Sequence, residues 1–271
     1  MSYDNILFEI QNGIAILTLN RPDTLNSLSI QLMAETRDAI KCVAEDQKIH
    51  VLVITGSGKG FSAGADLAGG GRSNESGNNS NLSVGEYVSE SAKNYYNPVI
   101  NDIDRIEKPV IAAVNGVVVG GGVGLALSTD IVIAARSAKF ILPFGPKLGI
   151  VPDMGSTWFY PRLIGRARSL ALALLGDRLP AKEAAEWGLI YKCVDDEILM
   201  DEVMAIAEKL AQGPQKAYGY IKKAFKESYK NRLDDQLEFE RYCQRVLCDS
   251  DDFKEGVTAF IEKRKPRFKG R

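Results

Sequence analysis

At 271 residues the chain can bury a sizeable core, either as one large domain or as a domain with an appendage. Its 45% hydrophobic and 25% charged residues are ordinary for a globular protein, and a net charge of −1 excludes a general attraction to nucleic acid or to an anionic membrane surface. The single histidine, His50, leaves almost no room for a zinc site or a Ser-His-Asp triad and reads as structural.

The opening residues, Met1 to Asn5, show no basic segment followed by an apolar one, so no secretory signal is read. Ile6 to Ile10 and Ile14 to Leu19 are β-like runs joined through Asn12-Gly13, a hairpin signal. Ile30, Met33, Ile40 and Val43 recur at helical spacing and predict an amphipathic helix over 30–46. Val51 to Thr55 is a buried strand that runs into the glycine-rich turn of residues 56–67. Residues 69–83 are Gly, Ser and Asn of low complexity, which cannot bury enough apolar area to order themselves, so they read as a mobile surface loop and a candidate lid. Residues 84–107 look helical.

Pro109 to Asp130 is the stretch with the strongest character. Val110 to Val114 is a β-branched strand, Asn115-Gly116 a turn, and Gly120-Gly121-Gly122 leads into small apolar residues able to begin a helix. A strand reaching a helix N-terminus through glycines leaves backbone N–H groups free to hold a developing negative charge near Gly121. Close helix packing without a ligand is the alternative. The run is long enough for a membrane span, with Gly-x-x-x-Gly spacings, but the Asn-Gly turn and the triple glycine break it. No nucleotide-loop pattern fits these glycines.

Ile131 to Ala135 and Lys139 to Leu142 are strand-like. The turn-rich stretch 143–157 then carries one carboxylate, Asp153, among apolar residues. From about Thr157 the chain reads as helical, apart from a short strand near Tyr191 to Val194. Two regions are expected: a core over 1–196 and a C-terminal helical region over 197–271. The stripe Val203, Ile206, Ala207 and Leu210 in the second region predicts a homotrimer or homohexamer contact. The scattered Cys42, Cys193, Cys243 and Cys248, with no C-x-x-C, read as buried free thiols of a cytoplasmic protein.

Strand–turn–helix repeats with short strands argue for an α/β fold. Five motifs in order go further: Asn20-Arg-Pro22 with Leu25-Asn-Ser27, residues 60–67, the glycine run 113–122, Gly149-Ile-Val-Pro-Asp-Met-Gly155, and Ala181 to Leu189 with the terminal Phe-x-x-Lys-Arg-x-Pro-x-Phe. Together they resemble the crotonase (enoyl-CoA hydratase/isomerase) superfamily over essentially the whole chain. The resemblance implies a spiral of ββα turns with a C-terminal helical region that packs trimers, often as a dimer of trimers. It implies acyl-coenzyme A thioester substrates, with no metal or redox cofactor, and the near-neutral charge adds no nucleic-acid or membrane partner. By position, the backbone N–H groups of Ala65 and Gly121 would form an oxyanion hole, and the main chain from Ala63 through Asp66 to Leu67 would cradle adenine. Lys263 matches a family lysine near the 3′-phosphate, or is simply solvated.

The chain departs from the hydratase pattern where two glutamates are expected. Gly124 stands at the first position, and Phe144 and its neighbours supply no acid at the second. Asp153 instead resembles the aspartate of dienoyl-CoA isomerases and of the phenylacetate-pathway ring-epoxide isomerases. One carboxylate that removes a proton and returns it elsewhere suffices for an isomerase. Three alternatives follow: isomerisation of an unsaturated or ring-modified acyl-CoA with Asp153 as shuttle, a hydratase or hydrolase on the same scaffold, or a non-catalytic acyl-CoA binder. The competing reading of Asp153 is a cap for the helix after Gly155.

Overall fold

In the computed structural model, which describes residues 3–66 and 82–270, strands β1 (Ile6–Gln11) and β2 (Ile14–Leu19) form the expected hairpin. Its turn residues Asn12 and Gly13 take φ of 52° and 78°, the left-handed pair that matches strand twist. Leu67 and nearly all of the 69–83 loop lie outside the described residues. Helix α1 (Ile30–Glu45) starts where Ser29 accepts a hydrogen bond from the Leu32 N–H at 3.1 Å, and it buries Leu32, Met33, Ile40 and Val43.

The next six strands come in pairs: β3 (Val51–Gly56) with β4 (Gly60–Ser62), β5 (Val110–Val114) with β6 (Val117–Val119), and β7 (Ile131–Ala135) with β8 (Lys139–Ile141). The first member of each pair joins a six-stranded sheet, of order β1-β2-β3-β5-β7-β10, where β10 is Lys192–Val194. The second member joins a four-stranded sheet of order β4-β6-β8-β9, closed by β9 (Arg178–Pro180). Each pair therefore turns a corner between two sheets, and the chain winds as the spiral that the resemblance implied. From β2 to β10 the large sheet is parallel, and both of its faces are covered, which explains why β3 and β5 read as unbroken apolar runs.

Between the sheets lie Leu52, Ile54, Ala112 and Val114 against Phe61, Val118 and Phe140. On the far face lie Val51, Val53, Ile111 and Ile133, covered by Leu199, Val203 and Ala207 of α7 (Leu199–Ala211), with Ile206 and Leu210 packed alongside. This corrects one expectation. The Val203–Leu210 stripe is spent on the chain's own sheet and is not available to a neighbour.

Beyond α7, helices α8 (Gln215–Ser228), α9 (Leu233–Cys248) and α10 (Asp251–Ile261) leave Phe225, Leu233 and Phe260 well exposed. Helix α8 is tied to the core by Lys222, whose ammonium reaches Asp130 at 2.7 Å and the Lys108 carbonyl at 2.9 Å.

Other differences are local. Strand β9 was not foreseen, and the residues between Phe144 and Leu148 wind as one π-helical turn. Helix α5 (Ser156–Leu175) is broken at Gly165, which sits at φ 76° and ψ 166°. Two further helices are α6 (Ala181–Glu186) and the long helical stretch composed of α2 (Val84–Ser91), a π-turn at Ala92–Tyr96, and α3 (Asn97–Arg105). All four cysteines are free, but only Cys243 is buried; the other three are half-buried. The apolar run 110–127 folds as β5, β6 and the short α4 (Gly121–Leu127), and among the described residues no helix is long and apolar enough to cross a membrane.

Candidate active site

Two loops meet where the paired strands leave the small sheet. After β4, residues Ala63 to Asp66 run beside the end of β6, so that a methyl built on Gly64 would stand 2.8 Å from the Val119 carbonyl and 3.5 Å from Gly120 Cα. Gly120 takes φ 55° and ψ −124°, a conformation essentially confined to glycine, and it swings the chain directly into α4. Gly121, not Val123, is therefore the first helical residue, and its N–H lies among those a helix cannot use itself.

Neither the Gly121 N–H nor the Ala65 N–H donates a hydrogen bond to any described residue, although their neighbours are engaged: Gly120 N–H with the Ile141 carbonyl at 2.9 Å, Leu28 N–H with the Gly64 carbonyl at 2.7 Å. Ala65 is exposed and Gly121 is buried. A buried N–H without a partner is costly unless something binds it, so the pair is suited to an incoming carbonyl oxygen.

Asp153 stands against this glycine. A methyl on Gly121 would lie 3.5 Å from Asp153 Oδ1, 2.6 Å from Met154 Sδ and 3.5 Å from Leu28 Cδ1. The fold thus brings Asp153 against Gly121, on the loop beside Ala65, three residues singled out from the sequence. Their loops are fixed by strain as well as by contact, since Met154 and Gly155 take φ of 47° and 80° in succession.

The capping alternative for Asp153 fails. Gly155 occupies the N-cap position of α5, and no side chain caps that helix; Asp153 contributes only its backbone carbonyl, which accepts from Ser156 N–H at 2.9 Å. The carboxyl group stands on an accessible edge yet is crowded by protein atoms, and this desolvation raises its pKa above the usual carboxylate value, against a smaller opposing effect of its own backbone N–H. A carboxylate held this way is a stronger base than an exposed one.

The missing hydratase acids have a physical explanation. A side chain at position 124 would point into the Met154 main chain: its Cβ would collide with the Met154 carbonyl oxygen and lie 2.8 Å from Met154 Cβ. The loop that carries Asp153 thus fills the space a glutamate would need. At the second position Phe144 is buried, its ring edge 3.5 Å from where a Gly120 methyl would be. Gly124→Glu is expected to lower stability by about 1–3 kcal/mol, the usual cost of overpacking, and to confer no hydration of an enoyl thioester. Thermal melting and a hydration assay check this; a stable variant that hydrates its substrate would show that the slot opens readily.

Several contributors were not assigned from sequence. Arg21 pairs with Asp66 at 2.7 Å and donates to the Ser27 carbonyl at 2.8 Å, so the Asp66 carboxylate is engaged. Buried Asn26, at φ 56°, accepts from Arg21 N–H and donates to the Ser57 and Gly60 carbonyls at 2.9 and 2.8 Å. These bonds cinch the 21–28 segment to the β3–β4 turn. The Asn-Arg-Pro and Leu-Asn-Ser motifs signalled this segment but not its role. Tyr96 also packs here, its hydroxyl 2.8 Å from the Leu28 carbonyl.

Of the proposed coenzyme A contacts, Ala63 is held by Leu25 (N–H to carbonyl, 2.8 Å), while Lys263 lies exposed just after α10, with no hydrogen bond or ion pair joining it to this cluster. Behind the Met154–Gly155 loop lies a cavity of about 590 Å³ between α3, α5 and the end of α8, which meets the cluster only through Gly155.

Comparison with known proteins gives the family and the fold. Residues 9–271 match the family model described as Enoyl-CoA hydratase/isomerase. The chain is 45% identical to the 1,2-epoxyphenylacetyl-CoA isomerase of Escherichia coli K12, with 98% of each chain covered. It is 39% identical to a probable enoyl-CoA hydratase of Rhodobacter capsulatus, with 100% of both covered. Among solved structures, an enoyl-CoA hydratase from Bacillus anthracis superposes with a TM-score of 0.90 at 33% identity, covering 99% of this chain and 100% of the other.

Proposed function

This chain belongs to the enoyl-CoA hydratase/isomerase family, and we propose that within it the protein isomerises an unsaturated or ring-modified acyl-CoA, with Asp153 as the proton shuttle. The observation that carries this reading is the placement of the Asp153 carboxyl against Gly121, on the loop whose Met154 excludes a side chain at position 124. The thioester oxygen accepts from the Ala65 and Gly121 N–H groups. Asp153 takes a proton from a carbon of the acyl group, and the electron pair moves through the conjugated system onto that oxygen as a dienolate. The carboxylic acid then returns the proton two carbons away, the electrons move back, and the product has the composition of the substrate. The two N–H groups act mainly on the charged intermediate and its flanking transition states. No metal or redox group is needed, and coenzyme A enters only as part of the substrate, cradled by the main chain from Ala63 to Leu67, with Lys263 toward its phosphate.

Hydration is the second reading, favoured by the hydratase names of several relatives, and it would need Asp153 to activate a water held by backbone groups. Crotonyl-CoA, a 3-enoyl-CoA and a dienoyl-CoA offered separately distinguish them. Turnover of the latter two without hydration of crotonyl-CoA is expected; efficient hydration of crotonyl-CoA alone would reverse the assignment.

We also assign the protein a homotrimeric or homohexameric assembly, with contacts in the 197–263 region. The support is the exposed apolar surface of α8 to α10, including Phe225 at 72%, Leu233 at 73% and Phe260 at 85% exposure, more than isolated surface residues require. Sedimentation at micromolar concentration should show three or six chains of 29.7 kDa, and a persistent monomer would refute it.

A further inference from the structure

The π-helical turn at Ala92–Tyr96, between α2 and α3, is a rare geometry that recurs at functional positions. It ends on Tyr96, which is half-buried and packs against the core with its hydroxyl turned inward to the Leu28 carbonyl, 2.8 Å away. Leu28 is the residue that grips the proposed oxyanion loop. It forms a parallel bridge with Ala65; its N–H donates to the Gly64 carbonyl at 2.7 Å, and its carbonyl also accepts from the Asp66 N–H at 3.3 Å. Ala65 thus lies between two bonds to one residue, and the Leu28 side chain reaches 3.5 Å from the methyl position of Gly121.

We infer that Tyr96 is a positioning residue for the oxyanion hole: its hydroxyl fixes the Leu28 carbonyl, and through the Leu28–Ala65 bridge it sets the direction of the Ala65 N–H. The inference rests on the oxyanion reading of Ala65 and Gly121. The bond from Asp66 to the same carbonyl is long, so the Tyr96 bond is the stronger of the two. The phenol is pushed up to about 12 by burial first and then by Tyr87, Asp153 and Asp66, with Arg21 opposing, so it remains a donor throughout the working range of pH. Donor placement matters at the scale of tenths of an ångström, because a preorganised site acts through geometry.

Tyr96→Phe deletes the donor alone, and Leu28 keeps the Asp66 partner, so the variant should fold. Turnover should fall about 3- to 10-fold, the range set by one neutral hydrogen bond, with the Kd for the CoA thioester unchanged. The decisive readout is the absorption of bound cinnamoyl-CoA, whose band shifts to the red when donors polarise its thioester carbonyl. Wild-type protein should show the shift, and Tyr96→Phe should show less of it; Tyr96→Leu, which also lacks the donor, gives the same reading should the Phe variant aggregate. A purely structural tyrosine would lower Tm and leave the shift intact, which overturns the inference, as does unchanged turnover with an unchanged shift. If the wild-type protein itself produces no shift, the oxyanion reading fails and the role of Tyr96 falls with it.

Discussion

Asp153→Asn is expected to lower isomerase turnover by about 100-fold or more while leaving the fold and coenzyme A binding intact. The amide keeps the size of the carboxylate but cannot accept the proton, and general-base contributions are typically of this order. The substitution removes no cap, because the Asp153 side chain caps no helix. Stability should move the other way. Desolvation raises the folded-state pKa of Asp153, so the native protein binds that proton more tightly than the unfolded chain does, and ionising the group above that pKa costs folding free energy. A neutral asparagine removes this cost, and Tm at neutral pH should be unchanged or higher, as is common for strained active-site groups. The same shift sets the pH profile: kcat/KM of the wild-type protein should fall as pH drops through a pKa above 3.8, and this limb should vanish from any residual activity of Asp153→Asn. A variant that unfolds, or one that isomerises at the wild-type rate, would contradict this role.

The second large effect belongs to the Gly121 N–H. Side-chain substitution is a poor probe there, since any Cβ would press on Met154 Sδ at 2.6 Å. Replacing the Gly120–Gly121 peptide with an ester, by placing glycolic acid at position 121, deletes the donor and adds no atom. Turnover should fall by about 10²–10³, the usual loss for one oxyanion donor, while the Kd for a CoA thioester changes little. Because this N–H has no partner among the described residues, the ester should cost the fold little. An ester protein with full activity would place the oxyanion elsewhere.

Much of this was legible in the chain. The α/β class follows from apolar runs each ending in a turn, the spiral came only with the family resemblance of the five motifs, and Asn12-Gly13 marked the first hairpin because two left-handed residues suit that turn. Asp153 and Gly121 stood out as candidates because a lone carboxylate and a glycine run interrupt otherwise apolar stretches. What failed did so for physical reasons. Strand β9 has three residues and ends in proline, too short for any period to register. The α7 stripe looked like an interface because periodicity shows that a face is apolar, not which surface covers it; here it covers the far side of β3, β5 and β7. Of the two readings of Asp153 open in sequence, the cap is removed by Gly155 at φ 80°, which takes the cap position itself. Tyr96 and Asn26 were invisible as site residues because their roles run through contacts to Leu28 and Gly60, which lie 68 and 34 positions away.

Turnover of a 3-enoyl-CoA in ¹⁸O-labelled water, followed by mass analysis of the acyl group, tests the central claim most directly. The wild-type protein should yield the conjugated isomer with the substrate's composition and no ¹⁸O, and Asp153→Asn should yield almost none of it. Label appearing in the acyl product at the rate of turnover, or undiminished isomer from Asp153→Asn, would contradict proton shuttling by Asp153.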